Sequence, residues 1–139
     1  MYQERTYRSL IAADDLVTSR VCVSESDLFI MANQDVTQPG RGFLLEARND
    51  LESYIRRDPT FLTSRVAHSP LHNAPWIVIR MAEVSSDYNI GPMAAVAGAL
   101  ADCVGQQLMK SQTDVIIENG GDIFVHTRNL MSFGVTLST

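Results

Sequence analysis

Residues 88–102 carry the most informative chemistry of this 139-residue chain, because they predict a helix whose first turn faces outward. Gly91 suits the N-cap and Pro92 suits the first helical position, where a backbone N–H is not needed. The first-turn N–H groups then lie at the positive end of the helix dipole, which favours an anion or a carbonyl. A second interpretation is a buried helix packed closely on a sheet. Its small-residue stripe consists of Gly91, Ala94, Ala95, Gly98, Ala101 and Gly105.

A second group with chemical potential is Glu118-Asn119-Gly120-Gly121-Asp122. Two adjacent glycines leave backbone N–H groups uncovered, and the two carboxylates can bind a divalent cation or a ribose. The alternative is a tight turn with solvated carboxylates, since Asn-Gly between two apolar runs is a strong hairpin signal.

The remaining candidates for catalysis or metal binding carry weaker signals. His68 and His72 are four residues apart, but they lie in a proline-containing segment without the spacing of a zinc protease. Hydrolysis with His68 or His126 as a base is a third hypothesis, although no G-x-S-x-G motif supports it. Cys22 and Cys103 lack C-x-x-C spacing, so we expect buried thiols and no disulfide or metal site.

The composition predicts one globular domain over residues 1–139. Hydrophobic residues make up 45% of the chain and charged residues 19%, which is typical of a folded protein. The net charge of −5 argues against binding to nucleic acid. We expect a cytoplasmic protein without membrane segments, because the sequence has no long apolar run and no signal-peptide pattern at its start.

The hydrophobic pattern predicts an α+β fold, a mainly antiparallel sheet packed by a central group of helices. Residues 16–23, with Val17, Val21 and Val23 on one face, and residues 27–32 predict a first hairpin. The other predicted strands are 5–9, 115–117, 123–125 and 133–137. The predicted helices are 41–57 after a loop at 37–40, a short turn at 60–62, a mostly buried helix from Pro75 that includes Trp76 and Val84, and 91–110. Residues 66–75 predict an irregular crossover.

Across nearly its whole length the chain resembles a bacterial and archaeal family described as ApbE-like, which has no assigned activity. The two most specific motifs are Gly-Pro-Met-Ala-Ala at the start of residues 91–99 and Glu-Asn-Gly-Gly-Asp-Ile at 118–123. The other matching segments are 2–8, 25–28, 54–61 and 74–75, together with Met81.

The resemblance implies a distant relation to ApbE, the magnesium-dependent enzyme that splits FAD and attaches FMN to a Thr or Ser of a target protein. It implies a flavin or nucleotide ligand, FAD or FMN with magnesium, at two motifs that would line one cleft. Gly91 and the following N–H groups would face phosphates, and Gly120 and Gly121 would allow close backbone approach. Asp122 would hold a cation or a hydroxyl, and Met93 would pack on a ring. The expected ligand-binding residues are Asn89, Gly91, Pro92, Met93, Glu118, Asn119, Gly120, Gly121 and Asp122.

The chain also departs from these transferases. It has Met93-Ala94-Ala95 where they have Lys-Gly-Tyr, and it ends before the segments that carry their metal ligands. It also ends before the second half of the ApbE-like family, so we expect an N-terminal part of a longer domain without full transferase activity. A sheet ending at 133–138 would expose an unpaired edge, which predicts a homodimer. The alternative function is a non-catalytic oligomeric binding or assembly module in which the glycines serve packing only.

Overall fold

The computed structural model describes residues 16–127, and the structural statements below concern these residues. Four strands form one antiparallel sheet in the order β1-β2-β3-β4: β1 (Val17–Val23), β2 (Ser26–Ala32), β3 (Val115–Asn119) and β4 (Asp122–His126). Between β2 and β3 lie α1 (Thr37–Arg57), α2 (Pro59–Thr63), α3 (Trp76–Ser86) and α4 (Val96–Leu108), with a 3₁₀ turn at Pro92–Ala95. The predicted α+β class is confirmed. The strands predicted at 5–9 and 133–137 lie outside the described residues.

The first hairpin forms as predicted, with Val17 opposite Ala32 and Val23 opposite Ser26. Val21 is buried on the face that contacts the helices, whereas Val17 stays exposed at the end of the strand. Ser19 is buried on the same face, where its hydroxyl accepts the Val36 N–H at 3.0 Å. The prediction of a buried Cys22 thiol is wrong, because Cys22 is on the opposite face of β1 and is exposed.

Helix α1 begins at Thr37, so the loop predicted at 37–40 is wrong. Pro39 falls in the first turn, where its missing N–H costs no helical hydrogen bond. The carboxylate of Asp35 accepts the Thr37 N–H at 2.9 Å and supports this earlier start. The predicted inward spacing is confirmed, since Leu44, Ala47, Leu51 and Tyr54 are buried.

Helix α3 is less buried than its composition predicts. Ile77, Val78 and Met81 face the core, but Trp76 and Val84 are exposed. The segment 64–75 before it has no helix or strand, as predicted. Within residues 16–127, no helix combines the length and apolar character needed to cross a membrane.

The glycine-led segment at 91–110 is not one continuous helix. It begins as a 3₁₀ turn, and the regular α-helix starts only at Val96. Helix α4 packs against α1, β3 and β4, and its two glycines face β4. A Cβ at Gly105 would lie 2.3 Å from the Phe124 ring, and one at Gly98 would lie 3.4 Å from the Asp122 carboxyl carbon. The small-residue stripe therefore allows β4 to approach the helix closely.

Candidate ligand-binding site

A cavity of about 420 Å³ brings together residues from both predicted motifs. Met93 comes from the 3₁₀ turn and Asn119 from the end of β3, and we call this space the Met93 cavity. Its volume falls in the range of small-molecule pockets, about 300–1,000 Å³. The other lining residues are Glu25, Ser26, Arg48, Leu51, Glu52, Ile55, Leu62, Val96, Ala97 and Leu100.

Arg48 is the cation of this cavity, and its side chain is only 12% exposed. The guanidinium donates to the Ser26 hydroxyl at 2.6 Å and to the Glu25 carboxylate at 3.2 Å. Glu52, one turn along α1, lies 3.5 Å from the same group. The pKa of Glu25 is lowered by a backbone hydrogen bond and by Arg48. Because Glu25 is largely exposed, an anionic ligand can replace it on Arg48 without burying its carboxylate.

Asn119 joins the two predicted motifs directly. Its side-chain amide donates to the Ala97 carbonyl at 3.0 Å, and the residue is buried. This hydrogen bond ties the end of β3 to the first turn of α4. The Asn-Gly-Gly-Asp turn and the segment after Gly91 are therefore neighbours, although they are about twenty residues apart in sequence.

The predicted hairpin turn has Gly120 and Gly121 as its two central residues, because Asn119 pairs with Asp122. Both glycines have positive φ, 58° and 100°, which fits a tight two-residue hairpin loop. Glu118 is buried at 2% exposure, and its carboxylate accepts the Gly121 N–H at 3.2 Å. Glu118 therefore supports the turn from inside, and it is not a solvated carboxylate.

Asp122 does not line the Met93 cavity. It lines a separate pocket of about 310 Å³ with Asp102, Arg80 and Gly98, which we call the Asp122 pocket. The pKa of Asp102 is raised by burial and by the Asp122 charge, while Arg80 at 3.3 Å opposes the rise. Over residues 16–127, no group of three or more potential metal ligands occurs here or elsewhere.

Gly91 and Pro92 are buried, and Gly91 contacts the chain before α3. A Cβ at Gly91 would lie 1.8 Å from the Ser64 carbonyl oxygen. The Gly91 carbonyl accepts the Ala94 N–H at 3.2 Å, which closes the 3₁₀ turn. The structure thus places Gly91 against backbone, and it does not line the Met93 cavity.

Asn89 ends α3 in a left-handed conformation, with φ of 49°. Ile90 N–H bonds to the Ser85 carbonyl at 3.2 Å and Asn89 N–H to Ser86 at 3.1 Å, the pattern of a Schellman cap. The Asn89 side chain also accepts the Ala67 N–H at 3.2 Å. Asn89 therefore fixes the approach to Gly91 and holds the 64–75 segment beside it.

Two groups of polar side chains were not predicted from the sequence. Arg48 was not singled out, because its partners Glu25 and Ser26 lie more than twenty residues away. Asp58 accepts a hydrogen bond from the Tyr54 hydroxyl at 2.6 Å and pairs with His68 at 2.8 Å. The Tyr54–Asp58 spacing at the end of α1 was a visible signal, whereas the contact with His68 depends on the path of an irregular segment.

Comparison with known proteins identifies the family. A family model described as AbpE bacteria matches residues 8–139. The UPF0280 protein of Methanopyrus kandleri is 33% identical over 125 residues, which cover 88% of this chain and 50% of the relative. The UPF0280 protein of Methanothrix thermoacetophila is 33% identical over 108 residues, covering 76% of this chain and 46% of the relative. The chain spans about half the length of these curated relatives. It belongs to the AbpE bacteria family.

Proposed function

We propose that this chain binds a flavin or a nucleotide, with the planar ring in the Met93 cavity. The proposal is supported by the lining of the cavity, because Met93 of the first motif and Asn119 of the second lie together in one mostly apolar space. Met93, Ile55 and Leu62 offer apolar contact to the faces of a ring, and the Met93 sulfur adds a favourable contact with an aromatic system. Asn119 is the polar group beside them.

Arg48 would bind the anionic part of the ligand. A phosphate presents two oxygens to a guanidinium, which is a stronger partner than an exposed carboxylate. In the free protein Arg48 already bonds to Glu25, whose side chain is mostly exposed. The ligand would therefore displace both exposed carboxylates, Glu25 and Glu52, from Arg48 and keep the Ser26 contact.

Magnesium would bind at the hairpin turn formed by Gly120 and Gly121. Nothing lies within 4 Å of a Cβ built at Gly120 or Gly121, so that side of the turn is open to a ligand, while the Gly121 N–H is already bonded to Glu118. Asp122 beside them is negative, so a phosphate near the turn needs a cation to offset the repulsion. Asp122 would hold that cation, while Asn89, Gly91, Pro92 and Glu118 would shape the surrounding backbone.

The alternative is a non-catalytic oligomeric module, and the contacts of Gly91 and Gly105 favour it. Both positions face neighbouring atoms closer than a real Cβ tolerates, so both glycines are accounted for by packing. In that case the chain would form the predicted homodimer and bind none of these ligands.

Thermal unfolding with FAD, FMN, ADP and AMP, each with and without magnesium, tests the proposal. A ligand present at about one hundred times its Kd stabilises the folded state by about 2.7 kcal/mol, which raises the Tm by several degrees. Ala97→Leu places a larger side chain in the Met93 cavity and should abolish the shift. Ala94→Leu fills the Asp122 pocket from the preceding 3₁₀ turn, so it tests the proposed cation site separately and should leave the magnesium-free shift unchanged.

The outcomes separate the two functions. A shift lost only in Ala97→Leu supports the Met93 cavity, and a shift lost only in Ala94→Leu moves the ligand to the Asp122 pocket. No shift with any ligand, together with a dimer in light scattering, supports the assembly module. A monomer in light scattering contradicts that alternative.

A further inference from the structure

A second large cavity, of about 450 Å³, lies between α1, α3 and α4 and shares no lining residue with the Met93 cavity. We call it the Trp76 cavity, because it includes the chain's single tryptophan, which is 50% exposed. Phe43 from α1 and Ile77 from α3 add apolar surface to the lining. A half-exposed indole at a concave surface offers apolar and aromatic contact to a ligand.

The charges in the Trp76 cavity are mainly negative. Glu46 and Asp50 are one turn apart on α1, and both are exposed. Among residues 16–127, neither carboxylate forms an ion pair or a side-chain hydrogen bond. Lys110 also lines the cavity, where its ammonium donates to Gln107 at 3.1 Å. The carboxylates therefore have the capacity to bind a cation that enters.

The thiol of Cys103 lies in the wall of this cavity. Burial raises the pKa of Cys103 to about 12, with further contributions from Asp102, Asp50 and Glu46. Asp50 and Glu46 therefore lie near enough to this lining group to act on it, after burial and Asp102.

We propose that the Trp76 cavity binds a small organic cation with an alkylammonium group, held between the Trp76 indole and the carboxylates of Glu46 and Asp50. An ammonium group is attracted to the face of an indole ring, and a quaternary ammonium has methyl groups that also gain from apolar contact. A hard metal ion fits this wall poorly, because Mg²⁺ and Ca²⁺ need several oxygen ligands and the aromatic side offers none. Among the described residues neither carboxylate is paired with Lys110, unlike the two on Arg48 in the Met93 cavity, so together they disfavour an anion.

Trp76 provides a direct measurement, since it is the only tryptophan of the chain. The full chain is titrated with choline to about 10 mM, ten times a weak Kd of about 1 mM, while its tryptophan fluorescence is followed. We expect a saturable change. Sodium chloride at the same ionic strength controls for screening. The neutral analogue 3,3-dimethylbutan-1-ol has the shape of choline without its charge and should produce no saturable change.

Matched variants on α1 test the role of the carboxylates. Glu46→Gln and Asp50→Asn should each raise the Kd for choline by about tenfold. Glu52→Gln is the control, because Glu52 is on the same helix but lines the Met93 cavity. These positions are exposed, so the variants should fold, and the Tm of each is checked.

Three results would overturn the proposal: no saturable change with any cation, an equal response to the neutral analogue, or an unchanged Kd in both carboxylate variants. N-acetyl-lysinamide is titrated in parallel to identify the source of the ammonium group. Stronger binding of this probe than of choline assigns the cavity to a lysine side chain of another protein, and the reverse assigns it to a free small molecule.

Discussion

The two glycine-containing motifs of this chain use glycine for opposite reasons. Gly91 has φ of −64°, a conformation open to any residue, but it has no room for a side chain beside the Ser64 carbonyl. Gly120 and Gly121 have open space around them, but their positive φ values disfavour any other residue. The comparison shows that a glycine in a motif marks an accessible backbone only where its surroundings are empty. By that criterion the turn, and not Gly91, is the surface that a ligand can approach.

The largest loss of stability is expected for Gly91→Ala, because there is no room for a side chain at this position. In Gly91→Ala the added Cβ would lie 1.8 Å from a backbone oxygen, so the backbone itself must move. We expect a loss of about 3 kcal/mol in the free energy of unfolding, at the upper end for overpacked sites. Urea denaturation measures it.

Gly42→Ala is the matched control for this variant. Gly42 is in α1, and a Cβ added there would have nothing within 4 Å of it. Alanine there should stabilise the chain by up to about 1 kcal/mol through helix propensity. If Gly91→Ala is as stable as the wild type, the 64–65 backbone does not pack against Gly91.

The next effect concerns the Tyr54–Asp58–His68 network, which holds the segment that covers Gly91. Asp58→Asn weakens the contacts of a buried carboxylate with Tyr54 and His68, and we expect a loss of about 2 kcal/mol. If the network positions the 64–75 segment, the double variant Asp58→Asn/Gly91→Ala should lose less than the sum of the single variants. Strict additivity would show that the two sites are independent.

This network also predicts a dependence on pH. Burial opposes ionisation of Asp58, but the hydrogen bonds from Tyr54 and His68 outweigh it and hold its pKa below the usual value. Because the pKa of Asp58 is lower in the folded state, its ionised carboxylate stabilises the fold at pH values above the unfolded-state pKa of about 3.9. This contribution is lost as the pH falls below that value towards the folded-state pKa. The stability difference between the wild type and Asp58→Asn should therefore shrink below about pH 4. A difference that stays constant would contradict the assignment.

Much of the fold could be predicted from the sequence, because the spacing of apolar residues within one helix or hairpin determines which face is buried. The spacing of Leu44, Ala47 and Leu51 defines the buried face of α1, and the two apolar runs around Gly120 define the last described hairpin. The earlier start of α1 could not be predicted, because it depends on a hydrogen bond from the Thr37 N–H to the Asp35 side chain. Pro39 suggested a loop, but the first turn of a helix tolerates a proline.

The candidate site was predictable only in part, because it depends on contacts between distant segments. Nothing in residues 64–75 is periodic, so the packing of Ser64 on Gly91 could not be predicted from the sequence. The 3₁₀ turn shifts the phase of the residues that follow Pro92. Met93 lines one cavity while Ala94 and Ala95 line another, and the two motifs are divided between two spaces.

A smaller effect is expected at the turn. Gly121→Ala should cost about 1–2 kcal/mol, because φ of 100° strains a residue with a side chain. Gly120→Asn should be nearly neutral, since asparagine tolerates φ near 58° and Asn-Gly is a favoured hairpin turn. Both free energies come from urea denaturation. Equal losses in the two variants would contradict the turn geometry, and a large loss in Gly120→Asn would show that the space around it is filled.

The smallest effect on stability is expected at Asp122, the exposed end of the turn. Its carboxylate lies beside Gly98 in the first turn of α4, where a negative charge is favourable, so Asp122→Asn should cost about 0.5 kcal/mol. The same change should lower the pKa of Asp102, because burial and Asp122 both raise it. NMR titration of the Asp102 carboxyl group measures that shift.

If Asp122 also holds the cation of a bound nucleotide, the magnesium dependence of the ADP thermal shift should disappear in Asp122→Asn. Persistence of that dependence alongside a lowered Asp102 pKa would place the cation away from the turn, and the turn would then differ from Gly91 in accessibility but not in function.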